Sequence, residues 1–335
     1  MSDGAVLAVR DLRTVFPSEA GPVTTVDKVS FSLGAGETLA VVGESGSCKT
    51  MTFLSVLRLV PPPGRVMSGE VLFEGADIAT LSASAMRSIR GAGIAMVFQD
   101  PLTALNPVFT IGDQMLEVIR AHTGMGPRQA RVRALEVLER VHIPAPAQRI
   151  DDYPHQLSGG MRQRVLIAMA IALRPKVLIA DEPTTALDVT VQAQILELLA
   201  ELRSELGMGM VLITHDLGLV AKYADRVAVM YAGRVVETSP MARGFGQSRH
   251  PYTRSLFRSI PRLDLPADQP LTAIAGQPPD LARLPAGCAF EPRCFLGNGR
   301  EDCRNERPAL SPTTSDRHLS ACPHWRTLLD AEPGA

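Results

Sequence analysis

Neither sign of charge dominates this chain. Thirty-four Lys and Arg stand against 35 Asp and Glu, a net charge of -1 at pH 7. That balance gives no broad electrostatic attraction to nucleic acid, so no nucleic-acid partner is expected. Long apolar runs are missing too. A bilayer-crossing helix needs ~18 predominantly apolar residues, and the stretch Val165 to Leu173 is too short and follows a basic segment. The first residues, Met1-Ser2-Asp3-Gly4, carry no basic flank and no apolar core, so no secretory leader is expected. Cysteine is sparse, with five residues unevenly spread: Cys48 stands alone, and Cys288, Cys294, Cys303 and Cys322 fall in the last fifth of the chain. Without an export signal, such a cluster points to a metal site rather than to disulfides. No internal repeat or low-complexity tract occurs. The expected location is the cytosol, or the inside of a membrane through a partner.

What is present is a globular composition, 45% hydrophobic and 21% charged over 335 residues, enough for one large domain with an appendage, or for two domains. Val6 to Val15, Val23 to Leu33 and Val71 to Gly75 read as strands of a mixed N-terminal sheet. Thr38-Leu39-Ala40-Val41-Val42 reads as a buried strand, and Met51 to Leu59 as a helix stopped by Pro61-Pro62-Pro63. Between them runs Gly43-Glu44-Ser45-Gly46-Ser47-Cys48-Lys49-Thr50. Strand, glycine-rich turn, then Lys-Thr opening a helix is the layout of a phosphate-binding loop. Its backbone N–H groups face one concavity, Lys49 reaches the outer phosphates, and the Thr50 hydroxyl helps hold magnesium. Cys48 departs from the pattern, which asks for glycine there so that no Cβ obstructs the backbone. A thiol at a helix N-terminus beside Lys49 is expected to favour the thiolate.

Further along, Ile94 to Phe98 reads as a buried strand ending in Gln99-Asp100-Pro101. Ile111 to Ala121 and Gln129 to Val141 have helical spacing, with Met115, Val118 and Ile119, then Val132, Leu135, Val137, Leu138 and Val141, as the apolar faces. A helical insert is therefore expected over about residues 86–156. Ser158-Gly159-Gly160 leads into the apolar helix Val165 to Leu173, a second helix N-terminus with free backbone donors. Lys176 to Ala180 is a strand ending in Asp181-Glu182-Pro183. An amphipathic helix carrying Ile195, Leu198, Leu199, Leu202 and Leu206 follows, closed by Gly207. Met210 to Thr214 ends at His215-Asp216, and Asp225 to Glu237 reads as a hairpin turning at Ala232-Gly233. From about Ser239 the composition shifts to Pro, Arg and polar residues, and Gly276 to Pro285 reads as loop. Several buried strands thus carry polar residues at their carboxyl ends, where ligands sit in parallel α/β sheets. Asp181 can support magnesium, Glu182 can act as general base or orient the attacking water, Gln99 can contact both, and His215 can hydrogen-bond the γ-phosphate. Alone, each residue equally fits a helix cap or a structural role; their joint occurrence with the phosphate loop does not.

The motifs resemble those of the ATP-binding subunit of an ABC transporter over about residues 5–260. Leu157-Ser158-Gly159-Gly160-Met161-Arg162-Gln163-Arg164 is similar to the ABC signature, with Met161 where many members have Gln. Val177 to Glu182 resembles the Walker B motif, Thr185-Ala186-Leu187-Asp188 the D-loop, Gln99 the Q-loop and His215 the switch histidine. The run from Asp181 to Gln194, His250-Pro251-Tyr252-Thr253 and the late cysteines narrow the resemblance to the dipeptide/oligopeptide (nickel) importer subfamily. The resemblance implies an α/β phosphate-loop (RecA-like) ATPase core with an N-terminal antiparallel β subdomain, the helical insert, and a small cysteine-containing C-terminal extension over 261–335. It implies ATP and Mg2+ as ligands, with magnesium held through Thr50, Gln99 and Asp181, and Phe16 stacked on adenine, or else part of the sheet core. It implies a second ABC ATPase subunit, identical or different, paired head to tail, so that Ser158, Gly159, Gly160 and Met161 serve the partner's ATP. Two transmembrane permease subunits, contacted by the insert and by Gln99 to Pro107, an extracytoplasmic solute-binding protein, and a peripheral position on the cytoplasmic face of the inner membrane complete that picture. Cys288, Cys294, Cys303 and Cys322 would hold a [4Fe-4S] cluster. Zinc, for which His318 and His324 could compete, and free buried thiols are the alternatives. A regulatory subunit with a degenerate, weakly hydrolysing site at Cys48 is the rival function. A soluble ABC protein of translation or DNA repair would need a second cassette or a coiled-coil insert, and neither occurs.

Overall fold

A computed structural model describes residues 4–19, 21–185, 187–241, 247–259, 274–297 and 299–330. Ala186 of the expected D-loop and the expected boundary at 260–261 lie outside them. The chain divides into two compact units. One holds the stretch up to Leu7, Ser32–Glu37 and Leu72–Ile213; the other holds Ala8–Phe31, Thr38–Val71 and the chain from Thr214 onward.

In the first unit, strand Val177–Asp181 lies between Ile94–Val97 and Gly209–Ile213, parallel to both, with Leu178 opposite Ala95 and Met210. Every residue of Val177–Asp181 and Gly209–Ile213 is buried, which is why these segments read as unbroken apolar runs rather than alternating ones. The helix Val189–Leu206 starts where the Asp188 carboxylate accepts the Val191 N–H at 2.9 Å and stops at left-handed Gly207, φ 63°. It buries Ile195, Leu198, Leu199 and Leu202, as its spacing predicts, while Leu206, also expected inward, is half-buried. Ile111–His122 and Pro127–Arg140 are helices, as their spacing predicts; a reciprocal Thr110–Asp113 cap opens the first. One expectation fails there. Val132 is 57% exposed, because Ala130, Ala134, Val137 and Leu138 form the inward stripe instead.

In the second unit, Thr38–Val42 runs parallel to Arg226–Tyr231, which forms a hairpin with Arg234–Pro240. The turn is Ala232-Gly233, as read from the sequence, and both residues have positive φ, the geometry that matches strand twist in two-residue hairpins. Residues 8–16 lie between residues 23–31 and 65–71 in a further sheet. The region after Ser239 carries more regular structure than its composition suggests. Pro251–Arg258 is a helix, and His318–Ser320 adds as a strand to Arg234–Pro240, with Ser311–Ser315 outside it. Tertiary packing overrides weak local preference here: Tyr252 and Phe290, both 1% exposed or less, enter the same apolar core as Val42, Val229 and Tyr231.

Beneath this strand addition lies a buried acidic side chain. Glu237, 1% exposed, accepts the Arg249 N–H at 2.7 Å, the His250 N–H at 2.9 Å and a hydrogen bond with His318 Nε2 at 2.7 Å. Removing the carboxylate orphans three buried groups, so Glu237→Ala is expected to cost roughly 3–5 kcal/mol. Trp325, the only tryptophan in the chain, reports the C-terminal segment directly. A denaturant titration of its fluorescence should show the variant unfolding first in this region; an unshifted midpoint would contradict the assignment.

Candidate nucleotide site

The phosphate loop leaves strand Thr38–Val42 and enters helix Lys49–Val56. Gly43 is required by close approach: an added Cβ would strike the Met230 carbonyl and come within 2.8 Å of Ser47 Oγ. The Lys49 ammonium, on a residue 7% exposed, donates to the carbonyls of Gly43 at 2.8 Å and Glu44 at 3.2 Å, so the lysine folds over its own loop. Ser47 Oγ is buried with no hydrogen-bond partner, an orphaned donor that an incoming phosphate oxygen would satisfy. Cys48 caps the helix at φ 68°, ψ 30°, in the left-handed region that favours the glycine it replaces. The expected thiolate is overturned. Burial pushes the Cys48 thiol up to about 11, and the opposing pull of Lys49 is the smaller effect. The same unit contains His215, exposed at the start of the Asp216-capped helix Leu217–Tyr223, and Phe16, half-buried against Gly64 at the end of its strand.

The first unit holds the other predicted residues. Asp181 is 1% exposed at the end of its strand. Glu182 follows at φ 44°, a left-handed conformation costly for a residue with a Cβ and characteristic of functional sites. Its carboxylate accepts from Gln99 Nε2 at 2.9 Å and from Thr185 Oγ1 at 3.0 Å. The structure therefore brings Gln99 and Glu182 together; Thr185 is a holding residue that the sequence named only as part of a loop motif. Ser158 caps the helix Gly159–Ile171, its hydroxyl accepting the Met161 N–H at 3.3 Å, which leaves Gly159 and Gly160 in the first turn. Asp188 is exposed and serves as a helix cap.

Cys288, Cys294, Cys303 and Cys322 line one cavity together with His324 and Phe290. All four are free thiols. Gly297 makes the space between two of them: a Cβ there would lie 3.3 Å from both Cys294 Sγ and Cys303 Sγ, and the Gly297 N–H already donates to Cys294 Sγ at 3.2 Å. Burial raises every one of these thiols, Cys303 to about 11 and Cys322 to about 12, and the neighbouring cysteines add to the rise at Cys294, Cys303 and Cys322. A bound cation reverses that penalty. His318 is not part of the group; its Nε2 is engaged by Glu237. His324 is, and Asp302, Cys303 and His324 offer ligand atoms within 4.8 Å of one another.

Comparison with known proteins decides the family. The ABC transporter profile matches residues 26–185, and the profile of the oligopeptide/dipeptide transporter C-terminal region matches residues 236–303. A protein of Brucella abortus (strain 2308) with the provisional name peptide import ATP-binding protein is 52% identical over 318 residues, covering 95% of this chain and 94% of its own. The chain belongs to the ABC transporter ATP-binding family. A second relative of this cassette, from Brucella melitensis and with the same kind of name, is 48% identical over 339 residues, covering 98% of this chain and 99% of its own. The dimeric ATP-binding cassette MJ0796, solved with ADP and Pi, matches 70% of this chain and 98% of its own with a TM-score of 0.63 at 27% identity. The cbiO1 cassette of Clostridium perfringens matches 72% of this chain and 91% of its own, TM-score 0.62, at 29% identity. As an ABC cassette the chain is an ATPase coupled to transport. None of its described helices is long and apolar enough to cross a membrane.

Two outcomes follow at Cys48. Cys48→Gly removes a Cβ from a left-handed position and is expected to stabilise the cassette by ~1 kcal/mol, read as a raised denaturation midpoint; no change would show that the loop carries this conformation without cost. Because burial dominates, maleimide should label Cys48 more slowly than a free thiol at about pH 8, with the rate climbing as pH passes from 9.0 towards about 11. Labelling faster than the free thiol would restore the thiolate.

Proposed function

We propose that this cassette hydrolyses ATP to drive import of di- or oligopeptides, or a related small solute, through partner permeases. The observation that carries the hydrolytic half is the Glu182 carboxylate, held between Gln99 and Thr185 in a strained backbone directly after buried Asp181. A carboxylate so fixed can accept a proton from, or align, an attacking water. The peptide half rests on the matched C-terminal region and on the names of the Brucella relatives.

Magnesium, when bound, neutralises charge on the phosphates; Thr50, Gln99 and Asp181 are the residues assigned to hold it. Lys49 and the orphaned Ser47 hydroxyl bind phosphate, His215 meets the γ-phosphate and Phe16 stacks on adenine. Ser158, Gly159 and Gly160 offer the helix N-terminus, with its unpaired N–H groups, to ATP held by a second ABC subunit. Phe98, Leu102, Val108 and Phe109 are exposed on either side of Gln99, apolar side chains suited to contact with permease subunits and hence to peripheral attachment at the cytoplasmic face of the membrane. The C-terminal extension, residues 261–335 in this reading, supplies four thiols that line one cavity, and four thiolates are the ligand chemistry of a [4Fe-4S] cluster. The Asp302–His324 hydrogen bond beside Cys303, at 2.7 Å, is the observation favouring zinc instead. Left-handed Cys48 is the one observation that favours a weakly hydrolysing regulatory subunit.

Glu182→Gln is expected to abolish phosphate release while leaving ATP binding intact, measured with the partner subunit's own site disabled; turnover at the wild-type rate would remove Glu182 from this role. Anaerobic purification followed by iron, sulfide and zinc analysis should give iron with sulfide and a broad absorbance in the blue. Zinc alone would reverse the choice, and metal-free protein would leave the thiols structural.

A further inference from the structure

Glu44, the second residue of the phosphate loop, has every polar group engaged. Its carbonyl accepts from the Ser47 N–H at 3.2 Å and from Lys49 Nζ at 3.2 Å. Its N–H donates to the Tyr252 phenol oxygen at 2.8 Å. Its carboxylate takes a two-pronged contact from Arg293, with Nη1 to Oε2 at 2.8 Å and Nη2 to Oε1 at 3.0 Å. Tyr252 and Arg293 lie 208 and 249 residues further along the chain. Both fall within the segment matched by the oligopeptide/dipeptide C-terminal profile.

Neither contact is a loose surface pairing. The Arg293 side chain is 6% exposed and that of Glu44 23%. Arg293 Nε also donates to the Ala275 carbonyl at 2.8 Å, Nη1 reaches the Tyr231 hydroxyl at 3.3 Å, and the guanidinium lies 5.9 Å from the Tyr231 and Phe290 ring centres. Planar guanidinium on carboxylate fixes direction as well as distance, which an ammonium cannot do. Tyr252 is fully buried and packs on Tyr231 and Phe290 at 4.5 and 5.3 Å between ring centroids. A rigid aromatic platform thus holds both partners of Glu44. Fixing Glu44 fixes the carbonyl on which Lys49 and the Ser47 N–H depend, and these two groups sit where phosphate binds.

We infer that Arg293 and Tyr252 are positioning residues of this cassette's own nucleotide site, so that the C-terminal segment sets its affinity for ATP. The inference rests on nucleotide binding by the phosphate loop. Arg293 lies in the short turn Glu291–Arg293, between Cys288 and Cys294 of the thiol-lined cavity, so the same segment serves both features.

The test is a double-mutant cycle in the full-length chain, reading Mg-ATP affinity by fluorescence of a labelled ATP analogue, and KM against kcat for hydrolysis. Arg293→Met is expected to weaken ATP binding and raise KM by about tenfold, with kcat within about twofold. Arg293→Lys, which keeps charge but not the fork, should recover part of the loss. Glu44→Gln should weaken binding comparably, and the double variant should be no worse than the weaker single, because both remove one contact. Tyr252→Phe, which loses only the phenol oxygen, should raise KM about threefold, and it keeps the test open if Arg293→Met fails to fold by Trp325 fluorescence. Wild-type KM in both folded Arg293→Met and Tyr252→Phe would overturn the inference. So would independent, multiplying effects of Arg293→Met and Glu44→Gln. Lys49→Ala serves as the separate control: if it binds Mg-ATP like the wild type, the phosphate-loop reading itself fails.

Discussion

A phosphate loop must keep a tight curl of backbone while leaving some of its donors unpaired for the ligand. That requirement governs much of what surrounds Gly43 to Lys49. Strain is tolerated at Cys48, a Cβ is excluded at Gly43 by the Met230 carbonyl, and Ser47 Oγ is left buried with nothing to bond. Each feature costs stability on its own, so the loop must be held from outside its own seven or eight residues. Here the holding falls to Glu44, gripped by an arginine and a tyrosine from the far end of the chain.

The same logic of distant support recurs. Aromatic residues are 4% of the sequence, yet Tyr231, Tyr252 and Phe290 gather in one cluster beneath the loop. Rigid rings lose little side-chain freedom on burial and give precise walls to an arginine laid beside them. A second anchor, Glu237 with His318, fastens the last strands to the hairpin that carries Tyr231. Described residues of the C-terminal segment, among them Ile274, Phe290 and Ala321, thereby share the core of the unit that contains the phosphate loop. In the other unit Glu182 shows a comparable economy: one carboxylate in a left-handed backbone, aimed by Gln99 and Thr185.

Much of this was legible in the chain itself. Buried strands such as Val177–Asp181 announce themselves as apolar runs, and the hairpin at Ala232-Gly233 as a two-residue turn. These are local consequences of side-chain chemistry and backbone sterics. Lys49, Asp181, Glu182, Gln99 and His215 could be singled out as candidates because they follow the ends of apolar runs. Less legible was anything whose partner lies far away in sequence. Val132 has the right period for the inward face of its helix, yet the small Ala130 and Ala134 take that face where the helices approach. The strands at Ser311–Ser315 and His318–Ser320 have poor local propensity and exist through pairing.

Cys48 marks the division. The sequence determined that a thiol stands at a helix N-terminus beside a lysine, in a place where the phosphate-loop pattern has glycine. Only the tertiary structure decided the thiol's protonation, because desolvation depends on how much protein covers the sulfur, and at Cys48 it outweighs the lysine one residue away. Likewise the sequence supplied a glutamate in the loop, an arginine between two cysteines and a tyrosine in His-Pro-Tyr. That the three meet is a property of the folded chain, since no local rule connects residues more than two hundred positions apart.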